Sequence, residues 1–477
     1  MYLILLIFLF FLLINIILVS TIVILEKKSP EKTLAWILVL IFLPPLGLIL
    51  YIFLGRSWKI NKLDKTNAFT LKELSYPFKF SPKLNKYESL IELLTANSYS
   101  PVFTKNDIKV LNGGIEKFDL LKEELLKAKN HIHLEYYIVK DDIIGNEIKD
   151  ILIKKSLQGI TIRFIIDRVG SSKLSHRYIK ELKSAGIEVV FYSHFLAPFL
   201  RIINTQINYR NHRKIVIIDG EVGFVGGINI GDEYLGNGRL GNWRDCHLMI
   251  KGDFVLGLQS VFLDDYSIIK KSYNEDYNLS NNIENYFRPI TSAGSIIMQL
   301  TKSGPDSEYP SIMQSIIKMI SMAKSEVNII TPYFIPPEAL IDTIRIAILS
   351  GVNIRIIYPK KADHFTVNKA SLTYLADLVR CGAKVYLYSD KGFIHSKILT
   401  VDNEICTLGT ANMDIRSFEL NYEINTVIYD KFITETLDNI FLQDLKNCTE
   451  FDLDKFENSS LIDRFINGLC RLFSSIL

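Results

Sequence analysis

The first sixty residues contain two long apolar stretches. Residues 2–25 include no charged side chain, and residues 34–54 are again uncharged. At about 1.5 Å of helical rise per residue, each stretch is long enough to cross a hydrocarbon core of about 30 Å. A short charged loop at 26–33 separates the two stretches. The pattern therefore predicts a hairpin of two transmembrane helices over residues 1–58.

Two alternatives to this hairpin remain open. The first stretch could be a cleaved signal peptide, although it lacks a basic start and a small-residue cleavage site. The second contains Pro44, Pro45 and Gly47, which should break or kink it, so it could instead form a re-entrant hairpin. Basic residues after the second stretch slightly outnumber the lysines of the loop, which favours a cytoplasmic location for the rest of the chain.

Beyond residue 100 the hydrophobic pattern alternates between helix and strand periodicity, and it does so twice. In the first half, 101–296, it predicts a helix at 118–129 and strands at 131–139, 160–166 and 187–192. In the second half, 297–450, it predicts helices at 312–324 and 339–349 and strands at 327–335, 352–358 and 384–388. Glycines follow several of these helices. The chain is therefore predicted to be α/β, with two pseudo-symmetric halves that each consist of a mixed sheet flanked by helices.

Two further segments flank the halves. Residues 59–100 are polar and aromatic, contain two prolines and are predicted to be a tether. Residues 451–477 carry apolar side chains at helical spacing, with Arg464 and Arg471 on other faces. For this C-terminal amphipathic segment two roles remain open, docking on the two halves and lying in the lipid interface.

Composition narrows the classes of function. A length of 477 residues accommodates two core-bearing domains plus appendages. A formal net charge of +3 does not favour nucleic-acid binding, which usually requires a much more basic surface. The five cysteines include no Cys-x-x-Cys pair and are predicted to be reduced thiols in a cytoplasm-facing protein. His131 and His133 lack neighbouring metal ligands and are predicted to line the core or a cleft.

One set of polar residues occurs in both halves at the same spacing. It consists of a histidine, a lysine two positions later, an aspartate five positions further on and an asparagine ten positions after that. Its members are His212, Lys214, Asp219 and Asn229 in the first half and His395, Lys397, Asp402 and Asn412 in the second. An apolar run typical of a buried strand links each lysine to its aspartate. Two such strands brought together would place two imidazoles and two ammonium groups around one pocket.

Such a pocket suits an anionic phosphodiester. One neutral imidazole can attack phosphorus and form a phosphohistidine, while the other protonates the leaving alcohol and later deprotonates the acceptor. The lysines, with Asn229 and Asn412, would stabilise charge on the equatorial oxygens, so that no metal or organic cofactor is called for. Asp219 and Asp402 follow their strands directly. For these two aspartates both direct catalysis and a structural role remain open.

The duplicated set resembles the His-x-Lys-x4-Asp motif of the phospholipase D superfamily. The resemblance implies two phospholipase D-like halves and a nucleophile in the earlier motif, which is His212. It also implies a supporting carboxylate for each imidazole, Glu423 for His395 and Asp245 for His212.

The surroundings of the motifs narrow the family further. Together with the N-terminal hairpin they resemble bacterial cardiolipin synthases over nearly the whole chain, through residues 36–56, 208–214, 226–234, 331–336 and 409–417. This resemblance implies a multi-pass protein of the bacterial cell membrane that transfers a phosphatidyl group from one phosphatidylglycerol to another and releases glycerol. Its partners would be phosphatidylglycerol and membrane lipids, with no nucleic acid.

Two alternatives and one departure accompany the resemblance to the synthases. A membrane-bound hydrolytic phospholipase D would have the same residues, and a nuclease of the superfamily would need a more basic groove. Gly227 and Thr410 occupy positions where many superfamily members have serine. Loss of that serine hydroxyl is expected to leave more of the phosphate stabilisation to the lysines and asparagines.

Overall fold

The computed structural model describes residues 2–25, 30–43, 46–47, 50–51, 84–192, 209–273, 286–287, 293–389 and 391–474. The chain divides into two compact units, one formed by residues 1–63 and 193–209 and the other by residues 64–192 and 210–477.

The described residues of the first unit include the helices α1 (Tyr2–Leu25) and α2 (Pro30–Phe42). The second helix ends just before Pro44 and Pro45, as predicted, because proline has no amide hydrogen to continue the helical bonding. Near this point Trp36 packs edge-on against Tyr51, with ring centroids 5.4 Å apart. Among the residues that the structure describes, none of the helices combines the length and apolar character that crossing a membrane requires.

In the described part of the second unit, fifteen strands form one sheet. They are β1 (Phe103–Asn112), β2 (His131–Tyr136), β3 (Thr161–Asp167), β4 (Glu188–Tyr192), β5 (Ile215–Ile218), β6 (Val222–Gly226), β8 (Cys246–Lys251), β9 (Ile296–Ser303), β10 (Glu326–Ile330), β12 (Asn353–Pro359), β13 (Lys384–Tyr388), β15 (Ile398–Val401), β16 (Ile405–Gly409), β18 (Glu423–Ile428) and β19 (Cys448–Glu450). Four short strands form two separate pairs, β7 (Asn242–Arg244) with β14 (Gly392–Ile394), and β11 (Phe334–Ile335) with β17 (Met413–Asp414).

Helices cover this sheet. They are α3 (Glu88–Ser98), α4 (Gly114–Lys127), α5 (Ile143–Leu157), α6 (His176–Ser184), α7 (Phe254–Ser272), α8 (Ser311–Ser321), α9 (Glu338–Leu349), α10 (Phe365–Cys381), α11 (Ile415–Glu419), α12 (Lys431–Leu445), α13 (Leu453–Glu457) and α14 (Leu461–Leu472). Short 3₁₀ helices occur at Asn85–Tyr87 and Asp232–Leu235. The helices and strands predicted from the hydrophobic pattern are thus present with shifted ends, except that the single strand predicted at 327–335 is divided into β10 and β11, which belong to different sheets.

The strand order repeats outward from the middle of the sheet. The first half runs β1-β8-β6-β5-β2-β3-β4, and the second runs β9-β18-β16-β15-β10-β12-β13 with β19 at the edge. In each half the motif strand, β5 or β15, is antiparallel to a strand that in turn is parallel to the next. β1 and β9 pair antiparallel at the centre. The predicted α/β architecture with two equivalent halves is therefore confirmed, but the two predicted sheets form one continuous sheet.

Each half has its own hydrophobic core. The motif strands β5 and β15 are buried along their whole length. Buried strands of this kind consist of continuous β-branched and aliphatic residues, which is why the sequence pattern located both of them. Because the two strands are fixed in the core, the motif histidines and lysines that precede them are also held in place.

The predicted tether needs a correction at its C-terminal end. Residues 59–83 lie outside the described residues, but α3 follows and is not a linker. Leu90, Ile91 and Leu94 of this helix are buried in the core of the second half together with Ile316 of α8. These apolar residues recur at helical spacing, so burial of one helix face accounts for the docking.

Candidate active site

The two motif histidines approach their strands through segments that pair with the opposite half. The backbone N–H of His212 donates to the carbonyl of Tyr422 at 3.0 Å, and Tyr422 N–H donates to the carbonyl of Arg210 at 2.8 Å. In the equivalent place β14 pairs with β7, and His395 N–H donates to the carbonyl of Arg244 at 2.7 Å. Backbone bonds between the halves thus hold both histidines.

Each imidazole bonds to a carboxylate from the other half. His212 Nδ1 lies 2.9 Å from Glu423 Oε1, and His395 Nδ1 lies 2.7 Å from Asp245 Oδ2. The predicted pairing, Glu423 with His395 and Asp245 with His212, is therefore wrong. The reason is the backbone pairing between the halves, because the residues bonded to the histidine backbones, Tyr422 and Arg244, directly precede the two carboxylates.

These bonds determine which nitrogen of each ring is available for chemistry. An Nδ1–H that donates to a carboxylate places the lone pair of the neutral ring on Nε2. All four side chains are buried, and both carboxylates are fully so. The arrangement therefore presents two oriented imidazoles, each with a reactive Nε2.

The two lysines are also held at the site. Lys214 Nζ donates to the carbonyl of His212 at 2.6 Å, and Lys397 Nζ bonds to the carbonyl of His395 and lies 3.0 Å from its Nδ1. Burial lowers the pKa of Lys214 to about 7 and that of Lys397 to about 8, against the opposing attraction of the site carboxylates. An anion bound between the lysines would raise both pKa values and restore full positive charge.

The histidine–carboxylate pairs differ electrostatically. Burial lowers the pKa of His212 to about 4 and that of His395 well below its ordinary value, so both rings are neutral near pH 7. Burial raises the pKa of Asp245 to about 6. Burial also works against the charge of Glu423, but its interactions with His212, Lys214 and Thr410 together outweigh burial, so the pKa of Glu423 is below its ordinary value. Glu423 is therefore the more firmly ionised of the two carboxylates.

Comparison with known proteins decides the family. A family model for the phospholipase D-like domain of cardiolipin synthase matches residues 121–243 and 316–445, and a phospholipase D-nuclease N-terminal model matches residues 4–56. A cardiolipin synthase of Oceanobacillus iheyensis is 41% identical, with 97% of each chain covered, and the major cardiolipin synthase ClsA of Bacillus subtilis is 40% identical, with 98% of each covered. The chain belongs to the cardiolipin synthase family of the phospholipase D superfamily.

One solved structure has the same fold as this member of the cardiolipin synthase family. Phosphatidylserine synthase of Haemophilus influenzae aligns with 82% of this chain and with all of its own at a TM-score of 0.63. Its sequence identity is 14%, so the likeness establishes the common fold alone.

Two positions, 227 and 410, lack the serine that many superfamily members have there, and both contact the carboxylates of the site. Thr410 Oγ1 donates to Glu423 Oε2 at 2.6 Å, so this hydroxyl serves the carboxylate of the His212 pair. At the equivalent Gly227 an added Cβ would lie 2.3 Å from Asp245 Oδ1. Glycine therefore leaves the space that Asp245 occupies beside His395. Sequence reasoning connected these two positions with phosphate stabilisation and missed their contact with the carboxylates.

The motif asparagines are both buried, but their contacts differ. Asn229 Oδ1 accepts from the N–H of Ile138 at 3.1 Å, and its amide donates to the hydroxyl of Tyr234 at 3.1 Å. Asn412 Oδ1 is buried and has no hydrogen-bond partner in the described part of the chain. Phosphate stabilisation by either amide stays a prediction, and Asn229 would have to give up its bond to Tyr234.

Aromatic rings line the two imidazoles and were not predicted. The ring of Tyr137 lies 4.8 Å from that of His212, and the ring of Trp243 lies 5.1 Å from that of His395. Tyr137 directly follows β2, at the end of the strand where ligands of α/β sheets bind. This position is the sequence feature from which a role for Tyr137 in the site could have been predicted. The other histidines of interest, His131 and His133, bond to Gln259 in the core, as predicted.

The motif aspartates are bonded to backbone at the far ends of the motif strands. The carboxylate of Asp219 accepts from the N–H groups of Lys129, Asn130 and His131 at 2.7–2.9 Å. The carboxylate of Asp402 accepts in the same way from the loop that leads into β10. The length of a strand separates each aspartate from its histidine. Of the two roles left open by the sequence, these contacts favour the structural one.

Replacing Asp219 with alanine is expected to lower the free energy of unfolding by about 1–3 kcal/mol, because three backbone N–H groups, one of them buried, lose their acceptor. Its backbone φ of 55° adds to the cost, since asparagine and aspartate tolerate this region better than alanine does. The turnover of the folded protein should change by less than about threefold. Thermal unfolding and initial rates measure the two quantities. A stable but inactive Asp219→Ala protein, with Asp219→Asn as its control, would instead indicate a catalytic role.

Proposed function

We propose that this protein makes cardiolipin by transferring a phosphatidyl group from one phosphatidylglycerol to a second, with release of glycerol. The observation that supports it most directly is the crosswise arrangement of His212 with Glu423 and His395 with Asp245, which belongs to a chain of the cardiolipin synthase family. Two oriented imidazoles and two lysines suit a two-step phosphoryl displacement.

In the first step Nε2 of His212 attacks the phosphorus of the donor lipid. Binding of the anionic donor raises the pKa of His395, which takes up a proton on Nε2 from solvent. As the bond between phosphorus and the glycerol oxygen breaks, that oxygen takes this proton from His395. In the second step His395 removes the proton from a hydroxyl of the acceptor phosphatidylglycerol, whose oxygen displaces His212. Both rings thereby return to their starting states. Ionised Glu423 stabilises the positive charge that develops on His212, and Lys214 and Lys397 stabilise the charge on the phosphoryl oxygens.

We further propose that residues 1–58 anchor the protein in the bacterial cell membrane, with the second unit on the cytoplasmic side. The apolar sequences of α1 and α2 support this anchoring. A site kept beside the bilayer meets lipid phosphodiesters and lipid hydroxyls at high local concentration. An alcohol can then outcompete water for the phosphohistidine.

Incubation of the purified protein with phosphatidylglycerol vesicles tests this function. Glycerol release in step with formation of a four-chain lipid is the expected result. Phosphatidic acid as the main product would identify a hydrolase instead. Cleavage of an oligonucleotide without any change in the lipid would identify a nuclease.

The site predicts a bell-shaped dependence of kcat/KM on pH. Below about 6, protonation of Asp245 removes the acceptor that orients His395, and above about 7–8 Lys214 and Lys397 lose their charge. Phosphatidylglycerol is an anion and raises the lysine pKa values when it binds, so the alkaline limb of kcat should lie at higher pH than that of kcat/KM. Initial rates from pH 5 to 10 measure both profiles. Alkaline limbs that coincide would contradict this role of the lysines.

A further inference from the structure

The C-terminal helix α14 has an apolar face that faces solvent. Phe465 is 71% exposed and Leu472 is 74% exposed. At 3.6 residues per turn the large exposed apolar residues fall within a sector of about 120°. They are Leu461, Ile462, Phe465, Leu469, Leu472 and Phe473. Contiguous exposed apolar surface of this kind marks an interaction site.

The helix is seated firmly, so the exposed face is not a consequence of fraying. Its opposite side packs against α10, where Arg471 Nη1 lies 2.6 Å from Asp377 Oδ2 and Lys369 Nζ lies 3.5 Å from Asp463 Oδ1. Ser460 caps the first turn, because its Oγ accepts from the N–H of Asp463 at 3.1 Å. The helix therefore presents its apolar sector as a fixed surface.

The buried side of the helix that carries this surface packs on elements next to the second motif. Ile466 and Cys470, on the buried side of α14, pack with Ile335 of β11 and Ile415 of α11. β11 pairs with β17, which directly follows Asn412. At the other end of the helix, Lys369 links Asp463 to Phe365, which is itself 62% exposed and extends the apolar surface.

We propose that the apolar face of α14 inserts into the lipid leaflet that supplies the substrate and sets the active site against that leaflet. This inference deepens the proposed function and rests on it. A lipid surface suits the face because its six apolar side chains resemble those of interfacial helices, and exposed Arg464 borders the sector, where it can meet anionic headgroups. The substrate itself is an anionic lipid, so the surface that supplies it has the matching charge.

Activity of the full-length protein in two lipid environments tests the insertion. In Phe465→Glu/Leu472→Glu, cardiolipin formation on phosphatidylglycerol vesicles should fall about tenfold, while the rate with phosphatidylglycerol dispersed in detergent micelles stays within about twofold of wild type. Ile346→Glu/Leu349→Glu on α9 is the matched control, because it replaces two apolar residues that are exposed to a similar degree. This control should retain wild-type rates in both environments. Unchanged vesicle activity of the α14 variant, or an equal loss in both environments, would overturn the proposal.

A direct probe of depth separates a lipid occupant from a protein occupant. An environment-sensitive dye on Phe465→Cys should shift to the blue with vesicles and be quenched by brominated lipid chains, whereas the dye on Leu349→Cys should not. A blue shift that depends on protein concentration and persists without lipid would indicate a second copy on this face and overturn the proposal. A wild-type protein that makes phosphatidic acid while the dye is still quenched would refute the proposed function and leave the insertion supported.

Discussion

Alanine in place of either His212 or His395 is expected to lower the rate of glycerol release from phosphatidylglycerol by about 10⁴-fold or more. Each imidazole has a role that the other cannot take over, because one attacks phosphorus while the other donates the proton. In a catalytic unit of this kind, loss of one member lowers the rate nearly as much as loss of all members. The initial rate of labelled glycerol release measures the loss. The control is His176→Ala, which removes an exposed histidine at the start of α6 and should leave the rate unchanged.

Retention of more than about a tenth of the activity by either variant would contradict a shared site. The double variant should be no slower than the slower single variant, since the first substitution already removes the two-step route. Two independent sites, one in each half, would instead give single variants with about half of the activity each.

The second large effect concerns the carboxylates. Asp245→Asn and Glu423→Gln are each expected to slow cardiolipin formation by about 10²–10⁴-fold, because the amides leave their imidazoles without an ionised orienting partner. Crosswise pairing makes a sharper prediction. Asp245→Asn should resemble His395→Ala, and Glu423→Gln should resemble His212→Ala.

A donor lipid with an activated leaving group separates the two pairs. A phosphatidyl ester of p-nitrophenol needs no proton from a general acid, so the burst of nitrophenol release should be largely restored in Asp245→Asn and His395→Ala. The burst should stay lost in Glu423→Gln and His212→Ala, since both damage the attacking ring. Rescue of Glu423→Gln together with His395→Ala would instead support pairing of the carboxylates with the histidines as the sequence had predicted.

The sequence predicted the parts of the site that depend on local pattern. The strands 215–218 and 398–401 are runs of buried aliphatic and β-branched residues, and the alternating His and Lys before them had to share a face. A continuous apolar run of this kind indicates a buried strand whichever elements cover it, so its own residues are sufficient for the prediction. The repeat of the same elements in both halves also predicted that the two motifs occupy equivalent places.

Features that depend on how the halves meet could not be predicted in this way. A carboxylate two dozen residues from one motif is equally compatible with either histidine until the backbone pairing of Tyr422 and Arg244 is known. The space above Gly227 is likewise defined by Asp245, which is distant in sequence. The residues of α3 were assigned to a tether because the prolines and polar residues near them are typical of a linker and outweighed the pattern of a short amphipathic helix.

Rapid-quench trapping of the covalent intermediate tests the central claim most directly. Wild-type protein mixed with phosphatidylglycerol labelled in its phosphate should carry the label on His212 within one turnover, and unlabelled phosphatidylglycerol should chase that label into cardiolipin. In His212→Ala no label should be found on any histidine. Label on His395 in the His212→Ala protein, or cardiolipin formed by wild type without any labelled histidine, would contradict the account.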